Sequence, residues 1–318
     1  MLKSIAVFLS ATALSMSASA ETYPSKPIML VVPFAAGGTV NLMGRIVAEH
    51  MGEQLKQPVV VDNKAGAGGA IGAGIVAKAA PDGYTLLLGS MGQAVQPLLT
   101  KRLSYDPKQL IPIATFATVS NVLAVSNNTP AKNVSELVSY SKANPGKLNM
   151  ASAGMGSINQ LIGELFMSRT GAEFVHVPYK GAGPAGVDLL SGQVQLIFAN
   201  LPNVLPYAKA GKVRLLAVAS EKRDPAIPNV PTFAEAGVKD AVVESWYGLM
   251  APAGTKPEIV KKLQDALLVA SRDKRFVTQL AEQGARPYPG SSADMTRLME
   301  KESKRWAEVV EHGKISLD

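Results

Sequence analysis

Two short glycine-rich loops that contain no charged residue carry the residue types expected of an anion site. The first runs from Pro33 to Thr39 after the apolar run Ile28 to Val32, and the second runs from Ala151 to Ser157 after Leu148 to Met150. A helical pattern follows each loop, which places both loops at a strand end and a helix N-terminus. Unpaired backbone N–H groups and the positive end of the helix dipole favour an anion there. The two loops predict a two-lobed receptor that closes on an anionic ligand.

The candidate ligand-binding residues lie on these loops and at other strand ends or helix starts. They are Pro33, Phe34, Ala36, Gly37, Gly38, Thr39, Asn63, Ser90, Ser152, Gly154, Met155, Gly156, Ser157, Tyr179, Ala199 and Asn200. Ser152 and Ser157 are interpreted as carboxylate donors rather than simple helix caps. Phe34 is expected to form a pocket wall, whereas Tyr179 fits a wall and ordinary domain packing equally well. Gly38 is expected to occupy a turn with positive φ, where a side chain would block the ligand.

Catalytic and metal chemistry find little support in the sequence. The segment around Ser152 has Met150 where the hydrolase elbow Gly-x-Ser-x-Gly needs its first glycine. His50, His176 and His312 fall on separate elements, and no two of them stand at metal-ligand spacing. The chain has no cysteine, which excludes thiol catalysis and thiolate metal sites. We therefore predict no nucleophile–base pair, no catalytic residue, no metal and no enzyme activity, and we disfavour a serine hydrolase or an oxidoreductase.

A glycine motif resembling the dinucleotide fingerprint also has a simpler explanation. Gly181 to Gly186 spells GxGxxG after a strand, but the next strand ends in Ala199-Asn200 without the acid that would hold a ribose. Pro184 within the motif favours a tight turn from loop to helix. A half-match at Gly72-Ala73-Gly74 fails on the same ground, so we predict no cofactor.

The first twenty residues have the pattern of a secretory signal peptide. Lys3 supplies a positive start, Ile5 to Leu14 an apolar stretch, and Ala18-Ser19-Ala20 a small-residue cleavage site. No later apolar run reaches the ~20 residues needed to span a bilayer. The pattern predicts a soluble protein exported to the periplasm, with cleavage after Ala20.

The charge distribution argues against nucleic acid as a partner. The formal net charge is +7, from 32 basic and 25 acidic residues. The basic residues are scattered through helical segments instead of forming one strip with aromatic residues, as a nucleic-acid surface would require. Mild basicity indicates solubility and some attraction for small anions.

Alternating strand and helix patterns predict an α/β fold with mostly parallel sheets. The predicted strands are Ile28 to Val32, Val59 to Val61, Thr85 to Leu88, Ile111 to Phe116, Val122 to Val125, Phe174 to Val177, Val194 to Phe198, Arg214 to Ala219 and Trp246 to Met250. The stretch from Pro257 to about His312 shows only helical patterns. Because such a tail must cover a sheet formed elsewhere, the first domain is expected to be discontinuous.

Short motifs spread along the chain resemble the periplasmic solute receptors of tripartite tricarboxylate transporters, also called the Bordetella uptake gene family. These motifs are Tyr23-Pro24-x-Lys26-Pro27-Ile28, Val32-Pro33-Phe34 with Gly37-Gly38, Asp62-Asn63-Lys64-x-Gly66-x-Gly68-Gly69, Pro81-Asp82-Gly83-Tyr84-Thr85-Leu86, Gly154-x-Gly156-Ser157, Val177-Pro178-Tyr179-Lys180-Gly181, Gly192-Gln193-Val194, Ala210-Gly211-Lys212-Val213-Arg214, Val230-Pro231-Thr232, and Trp246-Tyr247-Gly248-Leu249-x-Ala251-Pro252-Ala253-Gly254-Thr255. Each motif is weak alone, but their order over the mature chain is specific.

The resemblance implies a two-lobed Venus-flytrap fold of the periplasmic-binding-protein type. Domain 1 would comprise residues 21–123 and 249–318, and domain 2 residues 124–248. The two glycine-rich loops would hold a small organic carboxylate through backbone amides, hydroxyls and waters. The protein would be a monomer that delivers this ligand to membrane permease subunits, with the hinge near Val122 to Val125 and Trp246 to Met250. A periplasmic sensor subunit for a two-component kinase is the alternative.

Three positions depart from the pattern expected of that family. Asn41 replaces a usual aspartate, which removes an ion pair with Arg45 four residues later. Gln160 stands where histidine is common, and Ala199 replaces a frequent aspartate. The three positions are expected near the cleft, so they bear on which carboxylate is bound.

Overall fold

Strands and helices alternate through the part of the chain that the computed structural model describes, residues 23–100 and 102–313. The strands are β1 Ile28–Val32, β2 Val59–Asn63, β3 Thr85–Ser90, β4 Leu110–Ser126, β5 Asn149–Ser152, β6 Val175–Pro178, β7 Leu196–Asn200, β8 Val213–Val218, β9 Glu244–Pro252 and β10 Ala285–Gly290. The α-helices are α1 Thr39–Leu55, α2 Ala70–Ala77, α3 Met91–Leu99, α4 Val134–Ala143, α5 Ile158–Thr170, α6 Ala182–Ser191, α7 Leu201–Lys209, α8 Pro257–Ala270, α9 Lys274–Glu282 and α10 Ser292–Gly313. The predicted signal peptide lies outside the described residues.

The α/β fold is confirmed, but the sheet pairing is mixed rather than mostly parallel. β1 pairs in parallel with β2 and β3, and β5 pairs in parallel with β6 and β7, as expected for strands joined by helices. In contrast, β4 runs antiparallel to β7, β8, β9 and β10, and β9 runs antiparallel to β3. The carboxyl ends of the parallel strands point to the loops that the sequence singled out.

The strand β4 joins the two halves of the molecule. Residues 110–120 pair with β9, whereas residues 121–126 pair with β7 and β8. We call β1–β3, β9, β10 and the start of β4 the first half, and β5–β8 with the end of β4 the second half. Strand pairing changes at Ser120–Asn121 and again at Val243–Glu244. The predicted domain boundaries fall a few residues later, and the division into two domains stays a prediction.

The sequence predicts two strands where the structure has the single 17-residue β4. The intervening residues include Ser120 and Asn121, which are fully buried and therefore look like a break in an apolar pattern. Ser120 Oγ donates to Asp224 Oδ2 at 2.6 Å and Asn121 Nδ2 donates to the Val243 carbonyl at 2.8 Å. Because these partners satisfy the polar groups, the strand continues through the point where the halves meet.

The C-terminal stretch contains a strand that the sequence analysis missed. β10 pairs antiparallel with residues 115–119 of β4, and it carries Pro287 and Pro289, which weaken any strand pattern. The helices around it do cover the first half, since α8 packs on α1 and α10 packs on α3 and β4. α10 is 22 residues long and rich in charge. None of the helices in the described chain has the length and apolarity needed to cross a membrane.

Candidate functional site

A cleft between the two halves brings together residues from both glycine-rich loops. Its lining consists of Phe34, Gly38, Thr39, Val40, Gly68, Ser90, Met91, Gly92, Ala153, Ser157, Ile158, Asn159, Ala182, Asn200, Ser245 and Tyr247. No charged side chain occurs among these described lining residues. The wall therefore offers neutral polar groups and apolar surface.

Five helices point their N-termini at this cleft. The lining includes the N-cap or first residues of α1, α3, α5, α6 and α7. Each helix N-terminus stabilises an anion by about 0.3–1 kcal/mol, and more where the site is partly buried. Micromolar affinity corresponds to about 8 kcal/mol, and the dipoles together with charge-assisted hydrogen bonds of about 1.5–3 kcal/mol each contribute to it without a cation. The electrostatics favour an anionic ligand.

Two hydroxyl groups face this cleft without a hydrogen-bond partner among the described residues. They are Thr39 Oγ1, from the first turn of α1, and Ser157 Oγ, at the N-cap of α5. Their residues are 1% and 3% exposed. An unpaired buried polar group costs about 1–3 kcal/mol, so a ligand that hydrogen-bonds to these two hydroxyls would gain affinity from both. One donor from each half is suited to a single acceptor group held between the halves.

The first loop is held in place by an amide chain behind the cleft. Asn63 Nδ2 donates to the Phe34 carbonyl at 2.7 Å, and Asn41 Nδ2 donates to Asn63 Oδ1 at 2.9 Å. Arg45 Nε donates to Asn41 Oδ1 at 3.3 Å, so the contact between these positions persists as a neutral hydrogen bond. Asn63 therefore positions Phe34 and does not itself line the cleft.

The second loop is held by Ser152, which turns away from the cleft. Ser152 Oγ lies 2.6 Å from His176 Nε2, accepts from the Gly154 N–H at 3.1 Å and contacts the Gly154 carbonyl at 3.1 Å. The expectation that no serine pairs with a base was thus wrong. Ser152 is fully buried, however, and its Oγ is already engaged by these three contacts. These contacts give Ser152 a role in fixing the loop.

The predicted site residues divide into those that line the cleft and those that lie behind or beside it. Phe34, Gly38, Thr39, Ser90, Ser157 and Asn200 line it. Pro33, Ala36, Gly37, Asn63, Ser152, Gly154, Met155, Gly156, Tyr179 and Ala199 are not among the lining residues. Direct ligand contact for either group stays a prediction.

Several of the residues outside the lining have identifiable structural contacts. Tyr179 OH donates to Asp188 Oδ2 at 2.5 Å, and burial together with this carboxylate raises the pKa of Tyr179 to about 12. Gln160 Oε1 accepts from the Gly156 N–H at 2.8 Å, which holds the second loop. Ala199 is fully buried within β7. Of the three departures from the family pattern, Asn41, Gln160 and Ala199, none lines the cleft in the described chain.

Glycine residues allow the two halves to approach closely. Gly37 has φ +86°, whereas Gly38 has φ −98° and ψ 171°, so the positive φ predicted for Gly38 occurs one residue earlier. A Cβ built on Gly38 would lie 3.3 Å from Gly183 N, and one built on Gly183 would lie 2.5 Å from the Ala36 carbonyl oxygen. The Ala35 N–H also donates to the Lys180 carbonyl at 3.2 Å. The GxGxxG segment thus forms the contact across the cleft and the start of α6.

Met91, Gly92, Ile158, Ser245 and Tyr247 are among the lining residues that the sequence did not predict. Met91 and Gly92 begin helix α3, and Ile158 begins helix α5. A strand end or loop followed by a helix N-terminus, the pattern that identified the two glycine-rich loops, therefore also applies to these three residues. Ser245 and Tyr247 are two residues apart on β9. Because successive side chains of a strand point to opposite faces, these two lie on the same face, and the alternation along β9 would have grouped them. Tyr247 lies in the predicted hinge segment and also lines the cleft.

Comparison with known proteins reveals extensive similarity. Residues 43–315 match the family model described as tripartite tricarboxylate transporter family receptor. Protein BugT of Bordetella pertussis is 38% identical over 312 residues, covering 96% of this chain and 95% of that protein. A solved structure of a periplasmic transporter is 43% identical, with a TM-score of 0.90 over 93% of this chain and 100% of the other. R. palustris Rpa4515 with adipate is 38% identical, with a TM-score of 0.89 over 92% and 99% of the two chains.

Proposed function

This chain belongs to the tripartite tricarboxylate transporter receptor family, and from that premise we propose that it captures a small organic carboxylate in the cleft between its halves. The observation that carries the proposal is the uncharged cleft with five helix N-termini and two unpartnered hydroxyls, Thr39 and Ser157. The adipate held by Rpa4515 supports a carboxylate as the ligand class. In this function the protein binds its ligand and releases it unchanged.

We further propose that the protein works in the periplasm and passes its ligand to the permease subunits of the transporter. The signal-peptide pattern over residues 1–20, with cleavage after Ala20, supports export. Binding as a monomer fits a site whose donors come from two halves of one chain. Closure would bring surfaces of both halves together. The permease would recognise this combined surface and so distinguish the loaded protein from the empty one.

We expect the purified protein to hold a small carboxylic acid and to leave it chemically unchanged. The reason is that the cleft supplies anion-stabilising dipoles and donors, whereas Ser152 is buried and already hydrogen-bonded. Native mass spectrometry of protein from rich medium, followed by thermal-shift screening of mono-, di- and tricarboxylates, amino acids and aromatic acids, would identify the ligand. Recovery of a chemically altered acid after incubation would contradict the proposal, and so would a screen without any stabilising acid.

We also expect the ligand to close the two halves by rotation about their crossing points. Strand pairing changes at Ser120–Asn121 and at Val243–Glu244, so these residues are the natural hinge. Small-angle scattering should show a smaller radius of gyration at saturating ligand than without ligand. An unchanged radius would mean that the cleft is closed beforehand or that the division into two domains is wrong.

A further inference from the structure

A group of four polar residues where β4, β7 and β9 meet has a fixed hydrogen-bond direction. We call Asn121, Asn200, Ser245 and Tyr247 the hinge network. The last three line the cleft, and each of the four is at most 5% exposed. Their side chains hydrogen-bond to one another, so the directions of these bonds determine which donors and acceptors remain for a ligand.

A backbone carbonyl determines the orientation of both amides. Asn121 Nδ2 lies 2.8 Å from the Val243 carbonyl, which only accepts hydrogen bonds, so this atom must be the amide nitrogen. Asn121 Oδ1 then lies 2.8 Å from Asn200, which must present its Nδ2 there. Asn200 Oδ1 is consequently turned to Tyr247, whose hydroxyl donates to it at 2.9 Å. The opposite orientation would place two amide oxygens face to face.

Every donor hydrogen of the hinge network is used within the protein. The second Nδ2 hydrogens of Asn121 and Asn200 go to Ser245 Oγ, at 3.1 and 2.9 Å. Ser245 Oγ in turn donates to Asn121 Oδ1 at 3.2 Å. What remains are lone pairs on Tyr247 Oη and Asn200 Oδ1. Burial raises the pKa of Tyr247, so its proton stays on the oxygen.

We propose that the ligand carries one carboxylate and a separate hydrogen-bond donor, a hydroxyl or amino group, that faces the hinge network. This inference rests on the proposed function and refines its substrate class. The Thr39 and Ser157 hydroxyls supply donors for the carboxylate, whereas the hinge network supplies acceptors. A second carboxylate at the network would meet lone pairs, and the described lining contains no cation to offset the repulsion. The cleft therefore selects hydroxy or amino acids over dicarboxylates of the same length.

Matched ligand sets test this selectivity. For chain lengths of about four to six carbons, isothermal titration would compare the α,ω-dicarboxylate, the ω-hydroxy acid, the ω-amino acid and the unsubstituted acid. We expect the best hydroxy or amino acid to bind about tenfold or more tightly than the dicarboxylate of equal length, given the cost of an unpaired charged group. Equal or tighter binding of the dicarboxylate overturns this inference alone. If no acid of any class binds, the proposed function fails with it.

A single substitution should remove the preference. Ser245→Ala removes the acceptor of two Nδ2 hydrogens, so Asn200 gains a free donor at the cleft wall. The ratio of the affinity for the hydroxy acid to that for the dicarboxylate should then fall by about tenfold, because the freed Nδ2 hydrogen pairs with the second carboxylate. Ser271→Ala is the control, because Ser271 is equally buried and donates only to the Leu267 carbonyl in α8. An unchanged ratio in folded Ser245→Ala protein overturns the assigned direction of the network.

Discussion

Gly38→Val is expected to abolish ligand binding while the protein remains folded. The backbone at Gly38 is extended, with φ −98° and ψ 171°, a conformation that valine adopts readily. A Cβ at this position lies 3.3 Å from Gly183 N and 3.5 Å from Ala182 Cβ, both across the cleft. The added methyls must therefore push the halves apart in the closed state. Isothermal titration should show a loss of about 100-fold or more, which corresponds to about 2.7 kcal/mol, near the upper end of the ~1–3 kcal/mol that overpacking costs.

The matched variants separate closure from folding. Gly38→Ala adds only the Cβ, which fits after a small shift, so its loss of affinity should be intermediate. Gly186→Ala is the control in α6, since its Cβ would meet Asn203 Nδ2 at an ordinary 3.5 Å. Scattering with ligand should give the open radius for the valine variant and the closed radius for the control. Parental affinity in a folded Gly38→Val protein would show that the halves do not approach at this loop.

The two glycine-rich loops were predictable because a local signal determines them. The apolar run Ile28 to Val32 forms β1 with the predicted bounds, and the loop after it leads directly into α1. The same reasoning placed the second loop, which ends at Ser157, at the N-terminus of α5. It could not separate Ser157 from Ser152, since both are small hydroxyl residues on one loop. Their difference arises from His176 on the adjacent strand β6, whose register the sequence does not reveal.

The junction between the halves was harder to predict, because its polar residues are satisfied by distant partners. Asn121 Nδ2 donates to the Val243 carbonyl and to Ser245 Oγ, both more than a hundred residues away. Because the sequence does not reveal these partners, the polar residue predicts a break in the strand. β10 was missed for a related reason, since its prolines are tolerated only because it pairs along one side with β4. Long-range contacts of this kind decide where a strand begins and ends.

The GxGxxG segment has a structural role in the contact between the halves. The missing ribose-binding acid argued against a dinucleotide site, and the sequence predicted only a tight turn there. In the structure Gly181 has φ +155° and a Cβ there would lie 3.1 Å from Ala35 N. Together with Gly183 it lets the start of α6 touch the first loop. Both glycines serve the contact between the halves.

Thr39→Val and Ser157→Ala are each expected to weaken ligand binding by about 1–3 kcal/mol, the range for removing one partner of a buried polar contact. Neither hydroxyl has a partner among the described residues, so neither substitution removes a hydrogen bond of the unliganded fold. The melting temperature of the empty protein should therefore stay near that of the parent. Isothermal titration with the identified acid would measure the loss of affinity.

Thr39→Ser provides the control for shape, because it retains the hydroxyl and removes only a methyl group. It should bind much more tightly than Thr39→Val, although valine matches threonine in volume. Thr39 lies in the first half and Ser157 in the second, so comparable losses in both variants are expected if one ligand group joins them. If Thr39→Val binds like the parent, α1 contributes its dipole but not its hydroxyl. Loss in Ser157→Ala alone would then place the carboxylate on the second half, with closure following through the contacts of Gly38 and Gly183.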